Sequence, residues 1–364
     1  MTKQEYMRLA IELAKKGLGR TSPNPMVGCV VVRDEKIMAR GFHERYGGFH
    51  AERNALMSCP EDVTGADLYV TLEPCCHQGK TPPCTDIIVE RGIGRVFIGA
   101  MDPNPKVAGN GARILREHGI HVETGLLEEE CLAVNEVFMH YMVNRTPYVA
   151  MKYAMTLDGK IATASGDAKW ITGERAREHG HGLRKWLSAI MVGIGTVLAD
   201  DPMLNCRLED GVDPVRVVCD SQLRIPLDSQ IVRTAGQIRT IIAHAGGPKE
   251  KCEKLSEAGV ELICQPGEGG VDVAELLAEL GRRGLDSVLA EGGAAMHGAL
   301  LRSGLVNRVF CYIAPKLVGG KEAKSPVEGD GILRLRDALR LESCEIIKMG
   351  EDFCITGRCE RKGI

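Results

Sequence analysis

Hydrophobic residues follow two different patterns along the first half of the chain, helical spacing and continuous runs. The alternation of these patterns predicts a layered α/β fold. Apolar positions recur at helical spacing behind a capping box of Thr2 and Glu5, and Gly17 and Gly19 end this helix. Continuous apolar, β-branched runs between polar turns predict buried strands. The pattern places strands at residues 27–32, 68–72 and 96–100, and helices at residues 51–57 and 85–91.

The alternation of strands and helices resumes after a break at residues 144–147 (NRTP). A helix is predicted over residues 128–143, and Pro147 disfavours its continuation. We therefore predict one domain over residues 1–145 and a second over residues 146–364. In the second, strands are predicted at residues 149–154, 189–192, 215–219, 238–243, 287–290 and 309–314, and helices at residues 273–280 and 294–301.

Composition narrows the function classes. The 364 residues carry a net charge of −3 and 4% aromatic residues, which disfavours binding to nucleic acids. No apolar run approaches the roughly 20 residues that span a bilayer, so no membrane partner is expected. The 14 cysteines are scattered, and no secretory signal precedes them. We therefore predict a cytoplasmic enzyme whose cysteines are reduced.

His50, Glu52, Cys75 and Cys84 carry the clearest chemical signal. One imidazole and two thiolates suit zinc, and a catalytic zinc site keeps its fourth position open. In the zinc deaminase pattern the glutamate moves protons and is not a metal ligand. The spacing departs from the common P-C-x-x-C form, because eight residues separate the two cysteines. We predict that His50, Cys75 and Cys84 bind Zn²⁺ and that Glu52 is catalytic.

Several neighbouring residues leave alternatives open. Cys76 and His77 could complete a closed, structural zinc site, or His77 could face the substrate. His43 and Asn24 are each either substrate contacts or ordinary core and turn residues. Lys80 is either a contact to an anionic group or a solvated charge, and residues 102–105 (DPNP), from Asp102 onward, form either a rigid turn or a pocket rim.

Two glycine pairs in the second half follow predicted strands. Gly292 and Gly293 join a strand to a helix N-terminus, which is the geometry that holds phosphate on backbone N–H groups. Residues 193–195 (GIG) lack the third glycine of the dinucleotide fingerprint and are equally consistent with a tight turn. Ser221 and Arg224 could bind the 2′-phosphate of NADP, or could form an ordinary strand exit.

Taken together, these motifs resemble a known enzyme family. Residues 50–52 (HAE) and 71–84 (TLEPCCHQGKTPPC) are similar to those of cytidine-deaminase-like pyrimidine deaminases. The long second motif resembles the bifunctional deaminase–reductases of riboflavin biosynthesis. Residues 152–161 (KYAMTLDGKI), 169–172 (KWIT), 200–207 (DDPMLNCR) and 291–293 (EGG) resemble their reductase domain. The resemblance implies a three-layer α/β/α deaminase domain followed by an α/β domain like dihydrofolate reductase.

The resemblance also implies a cofactor and site residues for the reductase. NADPH contacts are implied at Ala154, Trp170, Thr196, Asp200, Ser221, Gly292 and Gly293. Substrate contacts are implied at Ala168, Arg184, Leu204, Arg207 and Glu291. The family commonly has serine where this chain has Ala168, so a hydroxyl contact is lost and only a backbone contact remains possible. Lys152, Asp200 and Glu291 are unranked choices for the proton donor.

The implied reactions are consecutive. A deaminase removes the 2-amino group of 2,5-diamino-6-ribosylamino-4(3H)-pyrimidinone 5′-phosphate, and a reductase then converts the ribosyl group to ribityl with NADPH. The family suggests a homo-oligomer. Three other hypotheses are a deaminase of RNA or DNA bases, a non-catalytic zinc module fused to a nucleotide sensor, and a chain with one active half.

Overall fold

The computed structural model describes residues 1–267 and 269–360. The chain forms two compact units, Met1–Arg145 and Thr146–Ile364. Arg145, the C-cap residue of the last helix of the first unit, has a left-handed backbone (φ 58°). In the described part of the chain, no helix combines the length and the apolar character that crossing a membrane requires.

The first unit is built on a five-stranded sheet in the order β2-β1-β3-β4-β5. Its strands are β1 (Gly28–Arg33), β2 (Lys36–Phe42), β3 (Asp67–Leu72), β4 (Arg95–Ala100) and β5 (His121–Thr124). β1 pairs antiparallel with β2 and β3, whereas β3, β4 and β5 are parallel. The helices are α1 (Lys3–Lys15), α2 (Ala51–Met57), α3 (Cys84–Glu90), α4 (Asn110–Glu117), α5 (Glu128–Val134) and α6 (Glu136–Asn144).

Two glycines show why helices cover both faces of this sheet. A Cβ atom on Gly28 would overlap the backbone of Ala10 in α1, and one on Gly41 would overlap the backbone of Ala51 in α2. Gly41 pairs with Cys29, the residue after Gly28, so the two glycines lie on opposite faces. The unit is therefore a three-layer α/β/α domain. The predicted capping box of α1 is present, with the Glu5 amide donating to Thr2 Oγ1 at 3.3 Å.

The second unit contains a nine-stranded sheet in the order β10-β9-β8-β7-β11-β6-β12-β14-β13. Its strands are β6 (Tyr148–Thr156), β7 (Ala189–Gly193), β8 (Val215–Cys219), β9 (Thr240–His244), β10 (Val260–Cys264), β11 (Ser287–Glu291), β12 (Val306–Ala314), β13 (Leu341–Met349) and β14 (Asp352–Cys359). Its helices are α7 (Glu174–Trp186), α8 (Ile194–Asp200), α9 (Gln230–Arg233), α10 (Lys249–Glu257), α11 (Val273–Arg282) and α12 (Ala294–Ser303), with a 3₁₀ helix at Leu335–Asp337.

The strands of the second sheet are parallel except for β14, which runs antiparallel to both of its neighbours. Alternate residues of the buried strands feed two separate cores: Met191 and Val217 belong to one, Ile190 and Val218 to the other. This is the pattern of a sheet that is covered on both faces. The carboxyl ends of β6, β7 and β11 meet at one edge, where ligands bind in open α/β sheets.

The predicted single helix over residues 128–143 is wrong, because Asn135 divides it into α5 and α6. The Asn135 side chain accepts from the Met26 amide at 2.8 Å and donates to the Met26 carbonyl at 2.9 Å. The strand predicted at residues 238–243 also begins later, at Thr240. The Ile238 amide bonds the Thr234 carbonyl and so belongs to the turn that follows α9.

Candidate functional sites

Three side chains of the first unit converge although they come from different elements. His50 is the N-cap residue of α2, Cys84 is the first residue of α3, and Cys75 follows the end of β3. His50 Nδ1 lies 3.4 Å from Cys75 Sγ and 3.5 Å from Cys84 Sγ. All three potential ligand atoms lie within 4.8 Å of one another. The structure thus brings together the predicted metal ligands.

The electrostatics of the two thiols fit a soft cation. A hydrogen bond from Cys84 lowers the pKa of Cys75 to about 4, and the same bond raises the pKa of Cys84. A cation between the sulfurs would take the place of the proton that they share. One imidazole nitrogen and two sulfurs match a zinc site with three protein ligands and an open fourth position.

The closed, four-ligand alternative finds no support among residues 1–267 and 269–360, where this trio is the one metal-binding group of its kind. Cys76 turns away, and its thiol donates to the Lys106 carbonyl at 3.6 Å. His77 instead lines a cavity, and its buried Nδ1 has no hydrogen-bond partner.

Glu52 lies in the first turn of α2 and is only 3% exposed. Burial, assisted by the charge of Cys75, raises the pKa of this carboxyl to about 7. Its carboxylate also accepts a hydrogen bond from the Cys84 thiol. A buried carboxyl beside the metal ligands is placed to exchange protons with a substrate in the cavity.

The cavity has a volume of about 230 Å³, and both His50 and Glu52 reach its wall. The residues that remained ambiguous in the sequence also line it: Asn24, His43, His77, Lys80 and Asp102. Asn24 Nδ2 lies 3.2 Å from His43 Nε2, and His43 Nδ1 lies 3.0 Å from the Phe49 carbonyl. The Asn24 amide therefore donates to a histidine whose other nitrogen carries the proton.

Further cavity residues escaped the sequence analysis. Tyr46 lies under Lys80, whose Nζ is 3.9 Å from the ring centroid. Phe138 and Met142 come from α6, whereas Asn104, in the loop after β4, belongs to the segment 102–105 that the sequence left open as a turn or a pocket rim. Phe138 and Met142 are four positions apart, so the sequence does place them on one helix face. Nothing in the sequence indicates that this face meets the cavity.

In the second unit, Glu291 is the centre of a buried charge cluster. Arg184 donates to it through two parallel bonds, Nε to Oε1 at 2.9 Å and Nη2 to Oε2 at 2.8 Å. Lys152 Nζ lies 3.6 Å from the same carboxylate. Although burial opposes ionisation, Arg184 and Lys152 hold the pKa of Glu291 at about 2.

Apart from Ala168, the residues predicted to bind substrate lie close to this cluster. Arg184 also donates to the Asn205 carbonyl at 3.0 Å, next to Leu204, which is buried in a left-handed backbone conformation (φ 54°). The Arg207 amide donates to His181 Nδ1 at 3.3 Å. His181, which the sequence analysis did not single out, lies one helical turn before Arg184 on α7, and that spacing is a signal for it.

The Gly292–Gly293 turn has the backbone expected of a phosphate-binding loop. Both residues have positive φ values, 100° and 87°, which favour glycine. A Cβ atom on Gly292 would lie 3.1 Å from Thr196 Oγ1, so the turn packs closely against α8. α12 begins directly after Gly293, whose missing side chain leaves the first amides open to an anion.

The other predicted cofactor contacts are more dispersed. Asp200 forms an ion pair at 3.7 Å with Lys169, which precedes Trp170 and follows the half-exposed Ala168. Ala154 lies near the carboxyl end of β6. Ser221 follows β8, and its hydroxyl accepts from the amide of Val271 at 3.0 Å.

Two sequence families match the two units. The RibD C-terminal domain matches residues 147–355. The cytidine and deoxycytidylate deaminase zinc-binding region matches residues 1–100. These matches cover the charge cluster of the second unit and the candidate metal ligands of the first.

Similar proteins cover nearly the whole chain. The riboflavin biosynthesis protein RibD of Actinobacillus pleuropneumoniae is 56% identical, over 98% of this chain and 95% of its own length. RibD of Escherichia coli strain K12 is 38% identical, over 98% and 99%. The diaminohydroxyphosphoribosylaminopyrimidine deaminase/5-amino-6-(5-phosphoribosylamino)uracil reductase of Thermotoga maritima superposes with a TM-score of 0.87 at 40% identity, over 98% of both chains.

Proposed function

This chain belongs to the RibD family of bifunctional riboflavin biosynthesis proteins, and we propose that its deaminase occupies residues 1–145 and its reductase residues 146–364. The family's deaminase domain binds zinc, and its reductase domain uses NADPH. The division is supported by the two compact units, each of which contains one of the two candidate sites.

The proposed first substrate is 2,5-diamino-6-ribosylamino-4(3H)-pyrimidinone 5′-phosphate, a small phosphorylated pyrimidine. Water supplies the oxygen of the new carbonyl group, the bond to the 2-amino group breaks, and ammonia leaves. His50, Cys75 and Cys84 hold the zinc, which when bound supplies the Lewis acidity that lowers the pKa of water. Glu52 carries one proton from water to a ring nitrogen of the pyrimidine, and then the proton of the new hydroxyl group to the leaving amine.

The convergence of the three soft ligands beside a buried carboxyl is the observation that carries the deaminase proposal. Glu52→Gln keeps the size of the side chain but cannot carry the proton. We expect it to abolish ammonia release while NADPH oxidation with 5-amino-6-(5-phosphoribosylamino)uracil continues at the parental rate. Ammonia release at the parental rate by this variant would overturn the assignment of Glu52.

The proposed second reaction reduces 5-amino-6-(5-phosphoribosylamino)uracil. NADPH gives a hydride to the opened ribosyl group, a proton completes the ribitylamino product, and NADP⁺ leaves. Because its pKa is about 2, Glu291 remains an anion at neutral pH and binds rather than donates a proton. Asp200 is likewise a carboxylate paired with a cation, Lys169, so Lys152, whose ammonium group is a donor, is the choice that remains.

The remaining contacts are proposed by position. NADPH is held by Ala154, Trp170, Thr196, Asp200, Ser221, Gly292 and Gly293. The second substrate is held by Arg184, Leu204, Arg207, Glu291 and the backbone of Ala168. The guanidinium of Arg207 suits the 5′-phosphate of this substrate, because the fork of Arg184 already binds Glu291. The glycine turn suits the phosphates of the cofactor.

We also propose that the protein is a cytoplasmic homo-oligomer. None of the 14 cysteines forms a disulfide bond, which agrees with a reducing compartment. β13 is an edge strand that exposes Ile346 (71%), and exposed strand edges are sites of association. Light scattering of the purified protein is expected to give a multiple of the 39.5 kDa chain mass.

A further inference from the structure

Glu73 is a buried carboxylate that the proposed chemistry does not use. It follows β3, is 4% exposed, and lies two residues before the metal-binding Cys75. Its own amide donates to the Ala100 carbonyl at 2.9 Å, where β4 ends. Glu73 therefore lies where the chain leaves two adjacent parallel strands at the same edge of the sheet.

Three backbone amides from a distant segment converge on this carboxylate. Glu73 Oε2 accepts from Gly109 at 3.0 Å and from Asp102 at 3.4 Å, and Oε1 accepts from Ala112 at 3.1 Å. An ionised carboxyl group has acceptors only, so it matches a site formed by N–H donors. Hydrogen bonds from backbone N–H groups to an anion are among the stronger ones in proteins.

The carboxylate also acts as the cap of α4. The N-cap residue of this helix is Gly109, which has a left-handed backbone (φ 85°) and no side chain to bond the first amides. Glu73 bonds the amides of the N-cap residue and of the third helical residue, and its charge complements the positive end of the helix. A Cβ atom on Gly111 would overlap the Pro74 carbonyl, so α4 packs directly on the turn that leads to Cys75.

The segment held by Glu73 forms one wall of the cavity. Asp102, Asn104 and Val107 all line it, and the Asn104 amide donates to Asp102 Oδ1 at 2.8 Å. The Glu73 carboxylate thus fixes both the turn before Cys75 and the loop that faces the cavity.

We propose that Glu73 is a positioning residue for deamination, which fixes the cavity wall at residues 102–109 relative to the turn before Cys75. This inference rests on the proposed function of the first unit. Glu73 itself borders the cavity, but both of its oxygens accept from backbone amides, so we place its action on the loop and not on the pyrimidine or the metal.

Glu73→Gln tests this role because it keeps the shape but places an NH₂ group against the amide donors. We expect peptides covering residues 102–112 to exchange amide hydrogens roughly tenfold faster, with or without zinc. For the diaminopyrimidine phosphate, we expect KM to rise about tenfold while kcat changes less than about threefold. Glu73→Asp keeps the charge but has a shorter side chain, and we expect intermediate values of exchange and KM. This variant also tests the role if Glu73→Gln does not fold.

Glu117→Gln is the matched control, because Glu117 lies at the other end of α4 with a side chain 56% exposed. It should leave both exchange and KM at parental values. Unchanged amide exchange in Glu73→Gln would show that Glu73 does not hold residues 102–112 in place. A loss of kcat at constant KM would overturn the positioning role. If the parent protein releases no ammonia from this substrate, the proposed function fails, whereas the exchange result still tests whether Glu73 holds the loop in place.

Discussion

Glu291 shows how one residue depends on its neighbours for its charge. The carboxylate lies in a buried site that would favour the neutral acid, yet Arg184 and Lys152 keep it ionised. A buried charge that is paired in this way becomes costly when one partner is removed. The cluster also explains why the sequence alone could not assign roles to these charged residues. Lys152, Arg184 and Glu291 form one site only after folding.

The ion cluster predicts a specific dependence of stability on pH. Because folding lowers the pKa of Glu291 from 4.5 to about 2, its contribution is complete above pH 4.5 and is lost as the pH falls toward 2. The lowering corresponds to roughly 3 kcal/mol. Urea unfolding of the parent and of Glu291→Gln should therefore differ by a constant free energy between pH 5 and 7, and the difference should shrink between pH 4.5 and 2.5. A difference that grows on acidification would contradict this assignment.

At the level of elements, the sequence indicated most buried strands but not the contacts that end them. Apolar runs are sufficient to predict β1, β3, β4 and β7, because these strands are buried on both faces. The break between α5 and α6 depends on Asn135 reaching Met26, a residue 109 positions away. Local pattern carries no information about such a bond, and the same limit hid the contribution of α6 to the cavity.

Arg216 in β8 is a fully buried residue whose hydrogen bonds join elements that are distant in sequence. It donates to the carbonyls of Ile231 at 3.0 Å and Met203 at 3.3 Å, and to the hydroxyls of Thr234 and Thr240 at 2.7 Å each. Burial lowers its pKa to about 10, so it remains charged at neutral pH. Arg216 thus ties β8 to α9, to β9 and to the loop that carries Leu204.

Replacing this arginine should be costly. Arg216→Met leaves several buried carbonyls and hydroxyls without a donor, and we expect the free energy of unfolding to fall by about 3 kcal/mol or more. The control is Arg239→Met, which removes an ion pair with Glu261 that is about 40% exposed and should cost less than about 1 kcal/mol. Equal losses for the two variants in thermal unfolding would show that the Arg216 bonds do not stabilise the fold.

For the whole molecule, the break at residues 144–147 was visible in the sequence because Pro147 and a polar stretch interrupt the helical pattern. The hairpin of β13 and β14 was not predicted, although it completes one edge of the second sheet. The exposed positions of β13 include Ile346, so its hydrophobic pattern does not follow burial. The convergence of His50, Cys75 and Cys84 was predictable, because histidine and cysteine at these spacings have few other uses.

The hydrophobic core clusters divide between the two units, which predicts two separable unfolding events. One core cluster draws its members from the first unit, and the other two clusters draw theirs from the second. Calorimetry should resolve two transitions, with Asn135→Ala lowering the Tm of one and Arg216→Met that of the other. Joint movement of both transitions by either variant would show that the units unfold as one.

The division at Arg145 also has a consequence for protein synthesis. As far as the structure describes the chain, each sheet is assembled from one stretch of sequence, and neither sheet takes a strand from the other unit. N-terminal domains generally fold first on the ribosome. The catalyst for the earlier chemical step can therefore mature while the ribosome is still translating the catalyst for the later one.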